Sequence, residues 1–451
     1  MRPRLATRML TGFGWLIGLS GVGTSVALAE PGDHIRSGNL EVIPALEIRG
    51  QRRSNVYLSE GESTDTDGNP VGLEPQAGTA IRIHPSLTAT VKGTENTVDA
   101  TFDYNMVKFL ESQHKNLDRY KDLKFGLVTH LLNKSPVGLK LNERFHITGR
   151  ETEAVQASTA YVNHTMNHTG GRLSIRPGSS LEFDAGGVFT YDRYDISGET
   201  SNAGSPTLNS RVGYGPAVDM KWSFFPRTAI IAAYEQSWFS WENNLVDTQG
   251  DGLTASEFGS NLGIPNGNVW RTSIGLRGRL TEKLVLGLVG GYGQMDYDED
   301  TVTGQGSEGN AKSQGYDRDL RGFPEGILGL MELSYSPVTT QTFTFGYRKA
   351  FQDVYFTNFV DFHNVFFRYE SLFADQVEMK LNAGYRYEQY VGEVNRDDHV
   401  LNIGTDLAYH VTKWFDVNGG VQWRQRGSAD GNHGEIEYDD TTVSLGVTFV
   451  Y

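Results

Sequence analysis

Thr442-Val443-Ser444-Leu445-Gly446-Val447-Thr448-Phe449-Val450-Tyr451 closes the chain and separates by parity into two faces. Val443, Leu445, Val447, Phe449 and Tyr451 make one apolar face with aromatics at its end. Thr442, Ser444, Gly446 and Thr448 make a small, polar one, with Val450 as the exception. Period two is the mark of a β-strand, whose successive side chains point to opposite sides. In a soluble sandwich the apolar face would be core. In an outer-membrane barrel it meets lipid, and the small polar face lines the lumen.

The same alternation recurs upstream. Val212, Tyr214, Pro216, Val218, Met220 and Trp222 stand against Arg211, Gly213, Gly215, Ala217, Asp219 and Lys221. Trp270, Thr272, Ile274 and Leu276 oppose Arg271, Ser273, Gly275 and Arg277, and residues 377–388 repeat the scheme with Arg386 and Glu388 on the polar side. From Leu40 onward no 3.6-residue period is sustained. Two segments are less regular: residues 138–148 put Glu143 on the apolar side, and residues 358–370 alternate poorly, which suggests a bulge or altered register there.

Connections alternate in kind. Tight ones such as Lys92-Gly93-Thr94-Glu95-Asn96, Arg176-Pro177-Gly178-Ser179 and Phe373-Ala374-Asp375 carry turn chemistry. Between them lie long polar stretches at residues 54–78, 150–169, 196–208, 242–267, 298–323 and 427–437, with shorter ones near 111–120, 355–357 and 391–396. Alternating short turns and long loops predict an all-β fold: a single transmembrane antiparallel up-and-down barrel of about 18 strands, with short periplasmic turns and long extracellular loops. Both termini then fall in the periplasm. Sixteen strands is the alternative if one short segment is loop.

Composition agrees. Hydrophobic residues make up only 38% of 451 residues and mean hydropathy is −0.41. A helical membrane bundle, which needs runs of about 18 apolar residues, is excluded. Aromatics at 11% argue against disorder. With no cysteine, thiol catalysis, disulfides and Cys-based metal sites are excluded. Residues 1–29 read as a signal peptide, with Arg2, Arg4 and Arg8 ahead of an apolar stretch and Ala27-Leu28-Ala29 as the cleavage pattern, leaving the barrel in residues 30–451. Cleavage takes Lys+Arg from 40 to 37 against 55 acids, a formal charge of −18 that disfavours nucleic acid as a partner.

Chemistry finds little purchase. Gly304-Gln305-Gly306-Ser307-Glu308-Gly309 fits G-x-G-x-x-G but follows no strand into a helix, so it reads as loop. Asp296, Asp298 and Asp300 begin like a calcium loop, yet Thr301 replaces the required Gly and Ser307 the bidentate Glu. The histidines and serines show no metal or triad spacing. No cofactor, metal site or enzymatic activity is expected. Glu30 to Asn39 leaves no room for a plug domain before the first strand.

Alternation assigns a mixed set of charges to the lumen. Arg277, Arg279, Arg348, Arg386, Arg424 and Arg426 are the candidate substrate-path residues, because guanidinium forks bind carboxylates and rings of charge select ions. Glu47, Asp99, Asp184, Asp219, Glu388 and Asp406 share that face, so pairing along the wall is the competing expectation. Tyr214, Trp222, Trp238, Trp270, Tyr292 and Trp423 fall near strand ends on the apolar side, as interfacial girdles do.

Ser336-Pro337-Val338-Thr339-Thr340-Gln341-Thr342, Phe345-Gly346-Tyr347-Arg348, Arg396-Asp397-Asp398-His399, the Tyr409 to Trp414 turn and the aromatic final strand carry a family likeness. In these features the chain resembles the β-barrel porin family found beside extracellular-polysaccharide genes in Gram-negative bacteria, although it ends in Tyr451 where a closing Phe is usual. The resemblance implies a passive outer-membrane conduit for exopolysaccharide, an anionic one included; any drive would come from partners in the periplasm or inner membrane, periplasmic polysaccharide-export proteins among them. Outer-membrane lipid, lipopolysaccharide and the barrel-assembly machinery are the other expected partners. A general or substrate-selective diffusion porin is the alternative, and a structural or adhesion barrel with a loop-plugged lumen the second.

Overall fold

The computed structural model describes residues 34–58, 63–64, 70–71, 75–119, 121–151, 161–197, 211–241, 266–297, 301–304, 316–319, 326–354, 357–391, 396–428 and 437–451. The signal peptide and the G-x-G-x-x-G motif beyond Gly304 lie outside them.

Eighteen long strands form the wall. The first six are β1 (Leu40–Arg53), β2 (Gly78–Lys92), β3 (Thr97–Phe109), β4 (Lys121–Leu131), β5 (Val137–Glu151) and β6 (Tyr161–Ile175). Next come β7 (Leu181–Ser197), β8 (Arg211–Phe225), β9 (Thr228–Trp241), β10 (Gly267–Arg279), β11 (Leu284–Tyr297) and β12 (Gly326–Tyr335). The last six are β13 (Gln341–Val354), β14 (Thr357–Phe373), β15 (Val377–Val391), β16 (Arg396–His410), β17 (Phe415–Ser428) and β18 (Tyr438–Val450). Each pairs antiparallel with its sequence neighbours, and β1 pairs with β18 from Ala45–Val450 to Arg53–Thr442, closing the ring. Closure is what lipid demands, since it offers no partner to a free backbone N–H or C=O.

The parity seen in the final strand is the inside–outside code. Leu445 is 68% exposed, Ile327 71% and Ile274 64%, all on the face away from the lumen. In water such a surface would be unstable; against acyl chains it is the ordinary outer face of a membrane barrel. Aromatics bracket this apolar band. Near the periplasmic turns sit Trp222, Phe224 and Phe225, then Tyr335, Phe343 and Tyr369, then Trp414, Phe415 and Phe449, in ring-to-ring contact at 4.6–6.5 Å. Nearer the extracellular ends, Tyr214 meets Trp238 and Trp270 meets Tyr292. These are the two interfacial girdles of an outer-membrane protein.

Three stretches change or narrow the sequence expectation. The polar stretch at 150–169 is mostly strand: β5 runs to Glu151 and β6 begins at Tyr161. Thr165, Asn167 and Thr169 occupy its lipid side, so both faces of β6 are polar there and the period-two signal vanishes. In residues 358–370 the irregularity is confined to the first position: Asp353 pairs with Phe359 and Val354 with Thr357, so Asn358 is skipped, while β14 pairs regularly with β15 from Phe359 to Phe373. Alternation is poor because Phe362 and Phe366 line the lumen while His363 faces outward. Residues 112–119, read as loop, form a 3-10 helix.

The inside–outside assignment makes a direct prediction. A charge at Leu445, on the lipid face, will lower folding stability by about 2–4 kcal/mol, whereas Gln422→Lys, on the exposed lumen face, will change it by less than about 0.5 kcal/mol. Urea titration of folding into lipid vesicles compares Leu445→Lys with Gln422→Lys directly.

Candidate functional site

Lumen-facing charge is arranged differently on the two sides of the ring. Along β1 and β4 to β8 cations meet carboxylates. Arg49 bonds Asp406 at 3.1 Å, Arg53 reaches Asp440 at 3.1 Å, and Lys140 sits 3.1 Å from Glu182 and 2.5 Å from Asp184. Arg172 meets Asp219 at 2.6 Å and Arg211 meets Asp192 at 2.8 Å. Cross-strand pairing, the competing expectation, describes this half of the wall.

From β10 to β17 several arginines lie on aromatic rings, Arg386, Arg396 and Arg426 among them also meeting carboxylates, while on the paired side Arg211 lies 5.6 Å from the Phe239 ring centroid. Arg271 is 5.0 Å from the centroid of Phe351, and Arg348 and Arg386 approach Phe362 from two neighbouring strands at 5.6 and 4.2 Å. Arg368 covers Phe366 at 4.7 Å and Arg424 covers Tyr438 at 5.6 Å. Phe366 is held by a gap: a Cβ on Gly346 would fall 2.0 Å from its ring, so only glycine admits it. A guanidinium seated on a ring keeps its in-plane N–H groups at the edge, where they can fork to a carboxylate.

Of the six candidate residues, Arg277 and Arg279 occupy the exposed lumen face of β10 toward the periplasm, and Arg348 is exposed about midway up β13. Arg386, 35% exposed, also contacts Glu388 at 2.8 Å. Arg426 is only 3% exposed. It donates to Asp398 at 2.5 Å, to Glu388 at 2.9 Å and to the Tyr390 hydroxyl at 3.0 Å, while Tyr390 donates to Glu388 at 2.8 Å and Arg396 to Asp398 at 2.9 Å. This knot ties β15, β16 and β17 together at their extracellular ends.

Two apolar pads, which sequence reasoning did not identify, flank the extracellular mouth. Val56, Ala80 and Phe109 pack with Tyr57 and Val107 on the inner side of β2 and β3. His114 of the 3-10 helix is wholly buried beside them, its Nδ1 at 3.2 Å from the Tyr57 hydroxyl and its Nε2 at 3.2 Å from the Ala77 carbonyl. The helix is anchored by Glu111, whose carboxylate accepts the Thr79 N–H at 2.9 Å and is held below the usual carboxylate range chiefly by that bond. Nine strands away, Phe239, Met295 and Phe351 pack with Val269 and Leu328. The β12–β13 pairing stops at Gly329–Lys349, and above it Phe351 places its ring 3.0 Å from where a Cβ on Gly293 would stand. The signal in sequence was weak: single apolar residues at strand ends and in a loop. Among the described residues no group of three or more His, Asp or Glu side chains could hold a metal ion.

No family model matches the chain, and no curated protein matches it in sequence. Among solved structures, OpdK of Pseudomonas aeruginosa, crystallised with vanillate, is 12% identical with a TM-score of 0.41, over 91% of this chain and 99% of that one. OpdQ of the same organism is 11% identical (TM-score 0.42; 91% and 98%), and the FrpB iron transporter of Neisseria meningitidis is 10% identical (0.44; 90% and 81%).

The Arg426 knot has a measurable role in the wall. Arg426→Met removes the shared donor and leaves Asp398 and Glu388 buried together, which will cost about 3–5 kcal/mol. The loss will appear as a lower temperature for conversion of the folded to the unfolded band on semi-native electrophoresis. The surface change Arg36→Met, beside Glu41 at the periplasmic rim, will leave that temperature nearly unchanged.

Proposed function

We propose that this outer-membrane barrel is a substrate-selective diffusion channel for small anionic solutes. The observation that carries the reading is the half-wall of arginines on aromatic platforms, Arg271, Arg348, Arg386, Arg368 and Arg424, facing a half-wall whose cations are matched by acids. An anion descending the lumen meets successive guanidinium edges that are already oriented, and ends among Arg277 and Arg279 near the periplasm. Pre-organised donors cost little to engage, and several weak sites in series let a solute enter without trapping it. Arg426 serves this path indirectly, by fixing the strands that carry Arg386 and Arg424.

Discrete guanidinium edges in series suit a compact anion that engages them one at a time. The polysaccharide reading rests on the motif resemblance, and the diffusion-porin alternative accounts for the wall without it.

Charge reversal tests the path. In planar bilayers Arg348→Glu and Arg386→Glu will each lower the anion-to-cation permeability ratio severalfold at low salt, and the effect will shrink as ionic strength rises. Unchanged selectivity in both variants discards the arginine path.

A further inference from the structure

The lipid-facing wall has one feature at odds with its surroundings. Glu143 stands midway along β5 on the outer side, between Leu141 and Phe145, yet it is only 7% exposed. It accepts hydrogen bonds from Asn167 and from Thr169, and Thr169 also contacts the Asn167 side chain at 2.9 Å. Thr169 is its cross-strand partner on β6 and Phe189 is the partner of Thr169 on β7. These residues line an outward-opening groove of about 640 Å³, within the usual range for small-ligand pockets. Its floor is low because Gly171 carries no side chain and pairs with Gly187. Polar groups at membrane depth are costly, and a carboxyl group at the lipid face marks a site by default.

The groove indicates its occupant. From Glu143 it extends past Asn167 to Thr165 and Tyr191, toward the extracellular ends of β6 and β7, so it lies in the outer leaflet. Its Glu143 end, midway along β5, lies at a depth that hydrocarbon chains occupy. Most of the lining is apolar and suits a chain, but a plain chain would leave the Thr165, Asn167, Thr169 and Glu143 polar row facing hydrocarbon. A carboxyl group accepts about four hydrogen bonds, so a chain hydroxyl can join Glu143 without displacing Asn167 or Thr169. We propose that this groove is a receptor for a hydroxylated acyl chain of the outer leaflet, the kind carried by lipopolysaccharide. The site is independent of what passes through the lumen.

Methyl 3-hydroxytetradecanoate and methyl tetradecanoate, which differ by one hydroxyl, are the probes. Added to the full-length barrel in detergent, the hydroxy ester will raise the temperature at which the folded electrophoretic band is lost by several degrees more than the plain ester does. Glu143→Leu, which places a lipid-compatible side chain on a lipid face, will erase that difference while the barrel still folds. Gly171→Leu, whose Cβ would make only ordinary contact with Leu141 at 3.4 Å, will fill the groove and abolish the response to both esters. Equal shifts with both esters in the unmodified protein, or a hydroxyl advantage that survives Glu143→Leu, overturns the proposal. Self-association in sedimentation that disappears in Glu143→Leu also overturns it, by making a second copy of the chain the occupant.

Discussion

The pairing of β1 with β18, nine residues of the first strand against nine of the last, is the contact on which the rest of the molecule depends. An open eighteen-stranded sheet would present two unpaired edges to hydrocarbon, with several kcal/mol at stake for each bare backbone group. Once the ring is closed, every side chain has only two destinations. That leaves the sequence free to be hydrophilic on average, because a single apolar face per strand suffices. It also explains why stability does not rest on a conventional core: among the described residues the two buried apolar clusters lie toward the extracellular mouth, while the wall between is held by ladders and by lumen-side polar contacts.

Given two faces, the lumen is where side-chain chemistry must be paid in kind. A cation there has three ways to be satisfied: a carboxylate on a neighbouring strand, an aromatic face, or water. Arg172, Arg211 and Lys140 take the first, and their charges cancel locally. Arg348 and Arg386 use Phe362, which satisfies the face of the guanidinium; Arg386 also meets Glu388 at one edge, whereas Arg348 stands exposed to the solvent or to a solute. The difference lies in the neighbouring strand's residue, not in the arginine, so the same residue type is structural on one side of the ring and available on the other.

That dependence sets what was legible in the sequence. Faces follow from period two, so the alternating segments, the tight turns and the lumen side of Arg277, Arg348, Arg386 and Arg426 could be read from spacing alone. Partners do not follow from spacing, because register between strands is fixed by the ring as a whole. Arg424 and Arg426 are two residues apart on one face and look equivalent, yet only Arg426 is opposite the Glu388, Tyr390 and Asp398 side chains. The apolar pads were hidden for a similar reason: Val56 and Phe109 lie far apart in the chain and meet because the segment after β1 bonds Gln76, just ahead of β2, whose Ala80 pairs with Phe109 of β3. Where both faces of a strand are polar, as in β6, the signal itself is lost and a strand reads as loop.

The misreading of β6 and the anomaly of Glu143 are one fact seen from two sides. Thr165, Asn167 and Thr169 erased the alternation because they occupy the face that lipid should reward with apolar residues, and Glu143 on the adjoining strand breaks the same rule. A lone polar residue at such a position is a liability that drift would be expected to remove cheaply, since any aliphatic side chain restores the rule. Glu143, Asn167 and Thr169, hydrogen-bonded to one another beside a glycine floor, form a polar network in which each member compensates its neighbour, with Thr165 extending the polar row. That compensation within the protein lowers the cost of keeping the row in the bilayer; it does not supply a reason for the cavity above it. A cavity of this volume forfeits packing contacts that a leucine at Gly171 would restore, so the groove makes physical sense as a place built for a chain that brings both methylenes and a donor.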